Sequence, residues 1–150
     1  MYQGKFKPKN INKYKGDTEA IYYRSSWELA VMLWCDSNTS ITEWSSEELV
    51  IPYLCPTDGG VHRYFIDFKV TFHNNKTYII ELKPKKQTIA PEQKSTKKRD
   101  RKQYITEVLS YVKNQAKWKA AAAYAQKHGA VFQVWTEDTL EQLGIKILGK

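Results

Sequence analysis

The sequence predicts one α/β domain: a central mixed sheet, one helix before it and one long helix packed on it. Three observations carry that expectation. Residues 63–72 and 77–83 alternate apolar and polar side chains with the period of two that a strand requires. Residues 103–128 place apolar side chains three and four apart, the spacing of an amphipathic helix. The chain has 150 residues, the size of one ordinary domain, and its 41% hydrophobic and 13% aromatic content can bury a core that offsets ordering entropy.

The elements follow in order. Residues 1–16 contain lysine, asparagine and proline without a clear period and are expected to form a loosely ordered basic arm, with the domain proper spanning 17–150. A helix is expected from Ser25 to Asp36, because Ser25-Ser26-Trp27-Glu28 spells a capping box: a serine N-cap with a glutamate three residues on. Trp27, Val31 and Trp34 share its buried side. Ile41–Trp44 and Leu49–Tyr53 are short strand candidates, followed by the turn residues Pro56-Thr57-Asp58-Gly59-Gly60. A strand over 63–72 directs Tyr64, Ile66, Phe68, Val70 and Phe72 to one face and Arg63, Phe65, Asp67, Lys69 and Thr71 to the other. His73-Asn74-Asn75-Lys76 turns the chain into a second strand, Thr77 to Lys83. A polar basic connector over 84–102 leads to a helix from Gln103 to His128, with the stripe Ile105, Val108, Leu109, Val112, Ala116, Ala120 and Ala123. Lys127-His128-Gly129 is a helix stop. Ala130–Trp135 reads as a last strand, and Thr136-Glu137-Asp138 opens a short helix.

Charge is unevenly placed. The net charge is +8, yet residues 1–15 hold five lysines and no acid, and residues 83–102 hold nine Lys and Arg against Glu92 and Asp100. The remainder is therefore mildly acidic. Nearly single-sign cationic segments suit a phosphate backbone better than a merely solvated surface. The longest apolar run, Leu29 to Cys35, is far short of the roughly 20 residues of a membrane helix, and no secretory leader pattern stands at the N-terminus. No membrane partner is expected. Cys35 and Cys55 are too few for a disulfide framework and lack paired zinc spacing, so both are read as reduced thiols in a cytosol-like compartment. His62, His73 and His128 show no ligand spacing. Trp27, Trp34, Trp118 and Trp135 read as core. Lys113 and Lys117 read as a solvated helix face, while Arg24 before the helix cap is a phosphate candidate.

The polar face of the hairpin holds Asp67, Glu81 and Lys83. Glu81 and Lys83 are two apart on a strand and point the same way. Asp67 joins them only if it pairs directly with Glu81, which needs the three-residue loop His73–Asn75. A two-residue Asn74-Asn75 loop sends the carboxylates to opposite faces, and a bulge could restore the register. If they meet, a hard divalent cation such as Mg²⁺ is their natural partner, and the nearby lysine could polarise water or neutralise charge growing on a phosphate. The alternative is a surface ion-pair ladder of Asp67 or Glu81 with Lys69 or Lys83.

Ile66-Asp67, thirteen intervening residues and then Glu81-Leu82-Lys83 resembles the PD-(D/E)XK nuclease superfamily. The order of elements is similar to its TnsA-like endonuclease branch. Met1-Tyr2-Gln3-Gly4-Lys5-Phe6, Tyr23-Arg24-Ser25-Ser26-Trp27-Glu28-Leu29, His62-Arg63-Tyr64-Phe65 and Lys117-Trp118-Lys119-Ala120-Ala121 resemble the head completion nucleases of T-even-type tailed phages, so the likeness spans nearly the whole chain. The family's usual proline before the aspartate is Ile66 here, which keeps a β conformation. The resemblance implies a restriction-endonuclease-like sheet flanked by helices and a Mg²⁺-dependent endodeoxyribonuclease, with Mn²⁺ as a substitute ion and no small-molecule cofactor. It implies Asp67 and Glu81 as metal ligands, grouped with Leu82 at the metal. Lys83 becomes the catalytic lysine and Glu28 an additional acid, although a capping-box glutamate explains Glu28 equally well. Double-stranded DNA is the expected partner, held through Lys5, Lys7, Lys9, Arg24, Lys85, Lys86, Lys97, Lys98, Arg99, Arg101 and Lys102. Lysine-rich grips of this kind contact phosphates and carry little sequence information. The implied role is processing DNA ends while a filled phage head is finished, in contact with head or portal and neck components, in the host cytoplasm and the virion. The rival readings are a non-catalytic DNA-binding structural protein of head closure and a basic RNA-binding protein, for which no aromatic RNA-recognition signature is present.

Overall fold

The computed structural model describes residues 3–147, so Met1 and Tyr2 of the first resembling segment and residues 148–150 of the expected domain lie outside it. The elements are β1 (Gly4–Lys5), β2 (Tyr22–Tyr23), α1 (Ser26–Ser37), β3 (Ile41–Ser46), β4 (Val50–Leu54), β5 (Val61–Phe65), β6 (Phe68–Phe72), β7 (Thr77–Leu82), α2 (Lys98–Lys127), β8 (Val131–Trp135) and α3 (Glu137–Gln142). The central sheet has the order β3-β6-β7-β8. Its first three strands run antiparallel, while β8 lies parallel to β7 and is reached through α2. This is the mixed sheet with flanking helices expected of a restriction-endonuclease-like fold.

Alternation along the strands divides two cores. Phe68, Val70 and Ile80 face α1, where they join Val31, Met32, Cys35, Trp44 and Trp135. Ile79 faces the other way and joins Ile51, Tyr53, Tyr64 and Ile66 under Ala121 and Ala125 of α2. The strand expected over residues 63–72 is two strands in two sheets. β5 pairs with β4 in a separate two-stranded sheet, and β6 pairs with β3 and β7. The break falls at Ile66–Asp67, where the amide of Glu47 donates to the carbonyls of both Ile66 (3.0 Å) and Asp67 (3.3 Å). Glu47 itself has φ of 56°, an uncommon conformation for a side-chain-bearing residue.

Helix α1 starts as its spelling predicts, with Ser25 as N-cap accepting from the Glu28 amide. Helix α2 starts at Lys98, earlier than Gln103, because the connector's last basic residues are already wound. Its expected stripe is only partly core. Ile105, Leu109, Val112 and Ala123 are exposed, and the buried residues of the helix are Ala121 and Ala125, which lie off the expected stripe, with Ala116 and Ala120 packed beside them. Among the described residues, no helix is long and apolar enough to cross a membrane.

The N-terminal segment departs from the expected loose arm. Apolar side chains scattered among the lysines dock it: Phe6 and Tyr14 are each 5% exposed and meet Trp44 edge-on at 5.8 and 4.8 Å between ring centroids. The Phe6 amide donates to the Ile21 carbonyl, and both carboxylate oxygens of buried Asp36 accept main-chain amides, from Lys9 and Asn10. Phe6→Ala is therefore expected to lower unfolding free energy by about 3 kcal/mol in urea titrations. A loosely attached arm would leave the midpoint unchanged.

Candidate active site

The hairpin register decides whether the acidic residues meet. Phe68 pairs with Ile80 and Thr71 with Thr77, which requires the three-residue loop His73–Asn75. Asn75 takes the left-handed conformation (φ 67°) that such a loop needs, and the Phe72 amide closes it on the Lys76 carbonyl. Extended by one pair, this register sets Asp67 opposite Glu81. Asp67 stands at the bend where β6 begins, and its Oδ2 accepts the Leu82 amide at 2.8 Å.

Glu81 is buried at 5% exposure and is held from three sides. The Tyr64 hydroxyl donates to its Oε1 at 2.8 Å, the Trp118 indole N–H reaches Oε2 at 3.4 Å, and the Lys83 ammonium lies 3.5 Å from Oε2. A buried carboxylate needs such donors, because an unpaired charge in the interior is costly. Burial, then the neighbouring Glu81 charge, holds the Asp67 carboxyl well above its ordinary range, and the Leu82 amide only partly opposes this. Burial next to Glu81 likewise raises the Tyr64 phenol, keeping it a neutral donor.

Glu28 comes from α1 into the same cleft, which Asp67, Glu81, Lys83 and Tyr64 also line. It is both the cap residue and a cleft acid: its amide donates to Ser25 Oγ, and the Ser25 hydroxyl donates to its Oε2, each at 3.1 Å. Burial raises its carboxyl, Ser25 opposes that, and the Glu47 charge adds to it. Leu82 contributes an amide to Asp67, while its side chain packs on the α1-side core, so only its main chain is left to serve an ion. Lys117, expected from the sequence to be a solvated residue, is brought by α2 to the cleft wall, with its ammonium 5.4 Å from the centre of the Tyr64 ring. Tyr64, Trp118, Lys117 and Arg63 reach the cleft by tertiary packing that no local spacing announces.

The cationic residues fall into two groups. Lys5 pairs with Glu19, Arg24 with Glu47 and Lys85 with Asp138, so part of their charge is answered within the chain. Lys7, Lys9 and Lys86 are exposed. Lys97 is the N-cap of α2, and Lys98, Arg99, Arg101 and Lys102 occupy its first turns, exposed and without an ion pair among the described residues. Cations at a helix N-terminus add to the positive end of the helix dipole and concentrate a field that attracts anions.

Residues 38–137 match the model of the TnsA-like endonuclease N-terminal domain. Across 148 residues the chain is 42% identical to the head completion nuclease of Enterobacteria phage T4, covering 97% of each protein. No solved structure matches the chain.

The raised Asp67 carboxyl has a consequence for stability. A group that binds its proton more tightly when folded stabilises the fold while protonated, and that contribution is lost as pH rises through the folded pKa. In the presence of EDTA, the Asp67 contribution to the wild-type melting temperature should therefore fall as pH rises above the ordinary carboxylate range. That fall should be missing from Asp67→Asn, whose amide oxygen can still accept the Leu82 N–H. Calorimetric scans against pH check this, and parallel curves for the two proteins would contradict the assignment.

Proposed function

This chain belongs to the TnsA-like endonuclease family, and we propose that it hydrolyses DNA phosphodiester bonds with a divalent metal ion, Mg²⁺ by choice and Mn²⁺ as a substitute, at the Asp67–Glu81–Lys83 cleft. The observation that carries this reading is the hairpin register that sets Asp67 against Glu81 with Lys83 beside them. The donor set fits the ion: two close carboxylates, one of them with its pKa raised by burial and then by the other's charge, are what a hard divalent cation neutralises, and both side chains offer oxygen. Asp67 and Glu81 would hold it, with the Leu82 main chain at the same point. A bound ion of this kind supplies Lewis-acid polarisation and an acidified water.

The chain's own groups do the rest. Tyr64 and Trp118 fix the Glu81 carboxylate, so its oxygens do not rotate away from the cleft. The Lys83 ammonium is positioned to meet negative charge developing on the phosphate. Lys117 lines the cleft as a phosphate contact, and Arg24, next in sequence to the cleft residue Ser25, is a second after releasing Glu47. Glu28 supplies a further acid on the same wall. Lys98, Arg99, Arg101 and Lys102, together with the N-terminal lysines, grip the duplex backbone with little regard to sequence. Its T4 relative is a head completion nuclease, and in keeping with that role the substrate proposed here is the DNA end of a filled phage head, met in the host cytoplasm or in the virion and in contact with head, portal or neck proteins.

The test is plasmid cleavage by the full chain. Wild type with Mg²⁺ should cut, and EDTA should stop it. Asp67→Asn, Glu81→Gln and Lys83→Ala should each lose at least about a hundredfold in rate while still binding DNA. Cleavage that survives both Asp67→Asn and EDTA belongs to a contaminant, and binding without any cleavage favours a structural role. A second measurement separates grip from chemistry. Replacing Lys98, Arg99, Arg101 and Lys102 with alanine should flatten the dependence of log affinity on log salt by about 0.9 for each phosphate no longer neutralised, with single-turnover rate at saturating DNA preserved.

A further inference from the structure

The turn between β4 and β5 gathers three metal-ligating side chains away from the acidic cleft. Cys55, Asp58 and His62 each offer one donor atom, and the three atoms lie within 4.8 Å of one another. They are spaced as C-x₂-D-x₃-H, which matches no paired-cysteine pattern, so only the fold brings them together. The main chain holds the arrangement. The Cys55 amide donates to the Gly60 carbonyl and the Gly59 amide to the Cys55 carbonyl, both at 2.8 Å. Gly59 has φ of +72°, a conformation glycine adopts freely, and the Gly60 amide orients Asp58 through its Oδ1 at 2.9 Å. Asp58 Oδ2 then lies 2.7 Å from His62 Nε2, and Cys55 Sγ lies 3.1 Å from Thr57 Oγ1.

We propose that Cys55, Asp58 and His62 bind a zinc-class transition-metal ion that clips the β4–β5 turn, as a site separate from the Asp67–Glu81 pair. The ligand chemistry selects the ion class. Thiolate, imidazole and carboxylate together suit Zn²⁺ with water as a fourth ligand, whereas Mg²⁺ takes oxygen donors alone. Binding releases the Cys55 proton to solvent and replaces the Asp58–His62 hydrogen bond with bonds from both residues to the metal. The ion has structural work to do. A two-stranded ribbon is marginal on its own, and this one feeds Tyr64 and the Ile66–Asp67 bend into the cleft. The proposal does not rest on the nuclease reading, because its ligands and its readout lie outside that cleft.

The experiment uses the full chain, stripped with chelator under reducing conditions and titrated with Co²⁺ and then Zn²⁺. One equivalent of Co²⁺ should give a near-ultraviolet thiolate charge-transfer band that Zn²⁺ abolishes. Cys55→Ser should lack the band. His62 is exposed, so His62→Gln should fold normally by circular dichroism yet weaken Co²⁺ binding at least about tenfold and lose the rise in melting temperature that Zn²⁺ gives the wild type. The Asp67→Asn, Glu81→Gln double variant should keep the band. No thiolate band in the wild type, unchanged affinity in His62→Gln, or loss of the band in the double variant would each overturn the proposal.

Discussion

Between Phe65 and Phe68 the chain leaves one sheet and joins another, and main-chain bonds to the β3–β4 connection hold the crossing: the Glu47 amide reaches two successive carbonyls, and the Ile66 amide donates to the Leu49 carbonyl. The rest of the cleft is built from that point. Because the crossing falls at Ile66–Asp67, Tyr64 belongs to the core under α2 and Phe68 to the core under α1. Asp67 is left at the seam, where it meets the end of β7. Had the strand continued straight, Tyr64 would lie on the α1 face with Phe68 and could not reach Glu81 from the other side of the sheet.

The cost of this design is electrostatic. Glu81 is buried and Asp67 stands beside it, so the cleft carries a repulsion that the apolar core must offset. Three donors soften it at Glu81 and one amide at Asp67, yet the Asp67 carboxyl still holds its proton more tightly than usual. Functional sites commonly keep strain that stability alone would remove. Here the strain is specific, since it falls when positive charge enters between the carboxylates.

Much of this is legible in the sequence, and the reasons are local. Alternation places Glu81 and Lys83 on one face because a strand's period leaves no choice, and Ser25 with Glu28 announces the start of α1. The register is legible only as a choice between a two- and a three-residue loop, and it is the fold, pairing Phe68 with Ile80, that selects the longer one. The break at Ile66–Asp67 is not legible: Tyr64, Ile66, Phe68 and Val70 are all buried, and burial in two different cores looks the same as burial in one. The docking of Phe6 and Tyr14 is masked by the lysines around them. The place of Lys117 on the cleft wall is hidden because helix spacing says which side chains share a face, not which neighbour that face will meet. The hairpin-tip cluster escapes for a related reason: its three donors are unlike one another, and the turn, not the spacing, makes them neighbours.

Helix α2 is wound over 30 residues, but only its second half is packed. Its opening turns leave Ile105, Leu109 and Val112 in water and rely on intrinsic propensity, with a lysine in the capping position and one acid, Asp100, to answer the positive end of the dipole. The end of α2 at Lys98 therefore has the least to hold it wound, and the end against the sheet the most. Any polyanion that settles on those turns supplies the missing cap and the missing countercharge together, so contact and winding reinforce each other and the helix stiffens from that end inward.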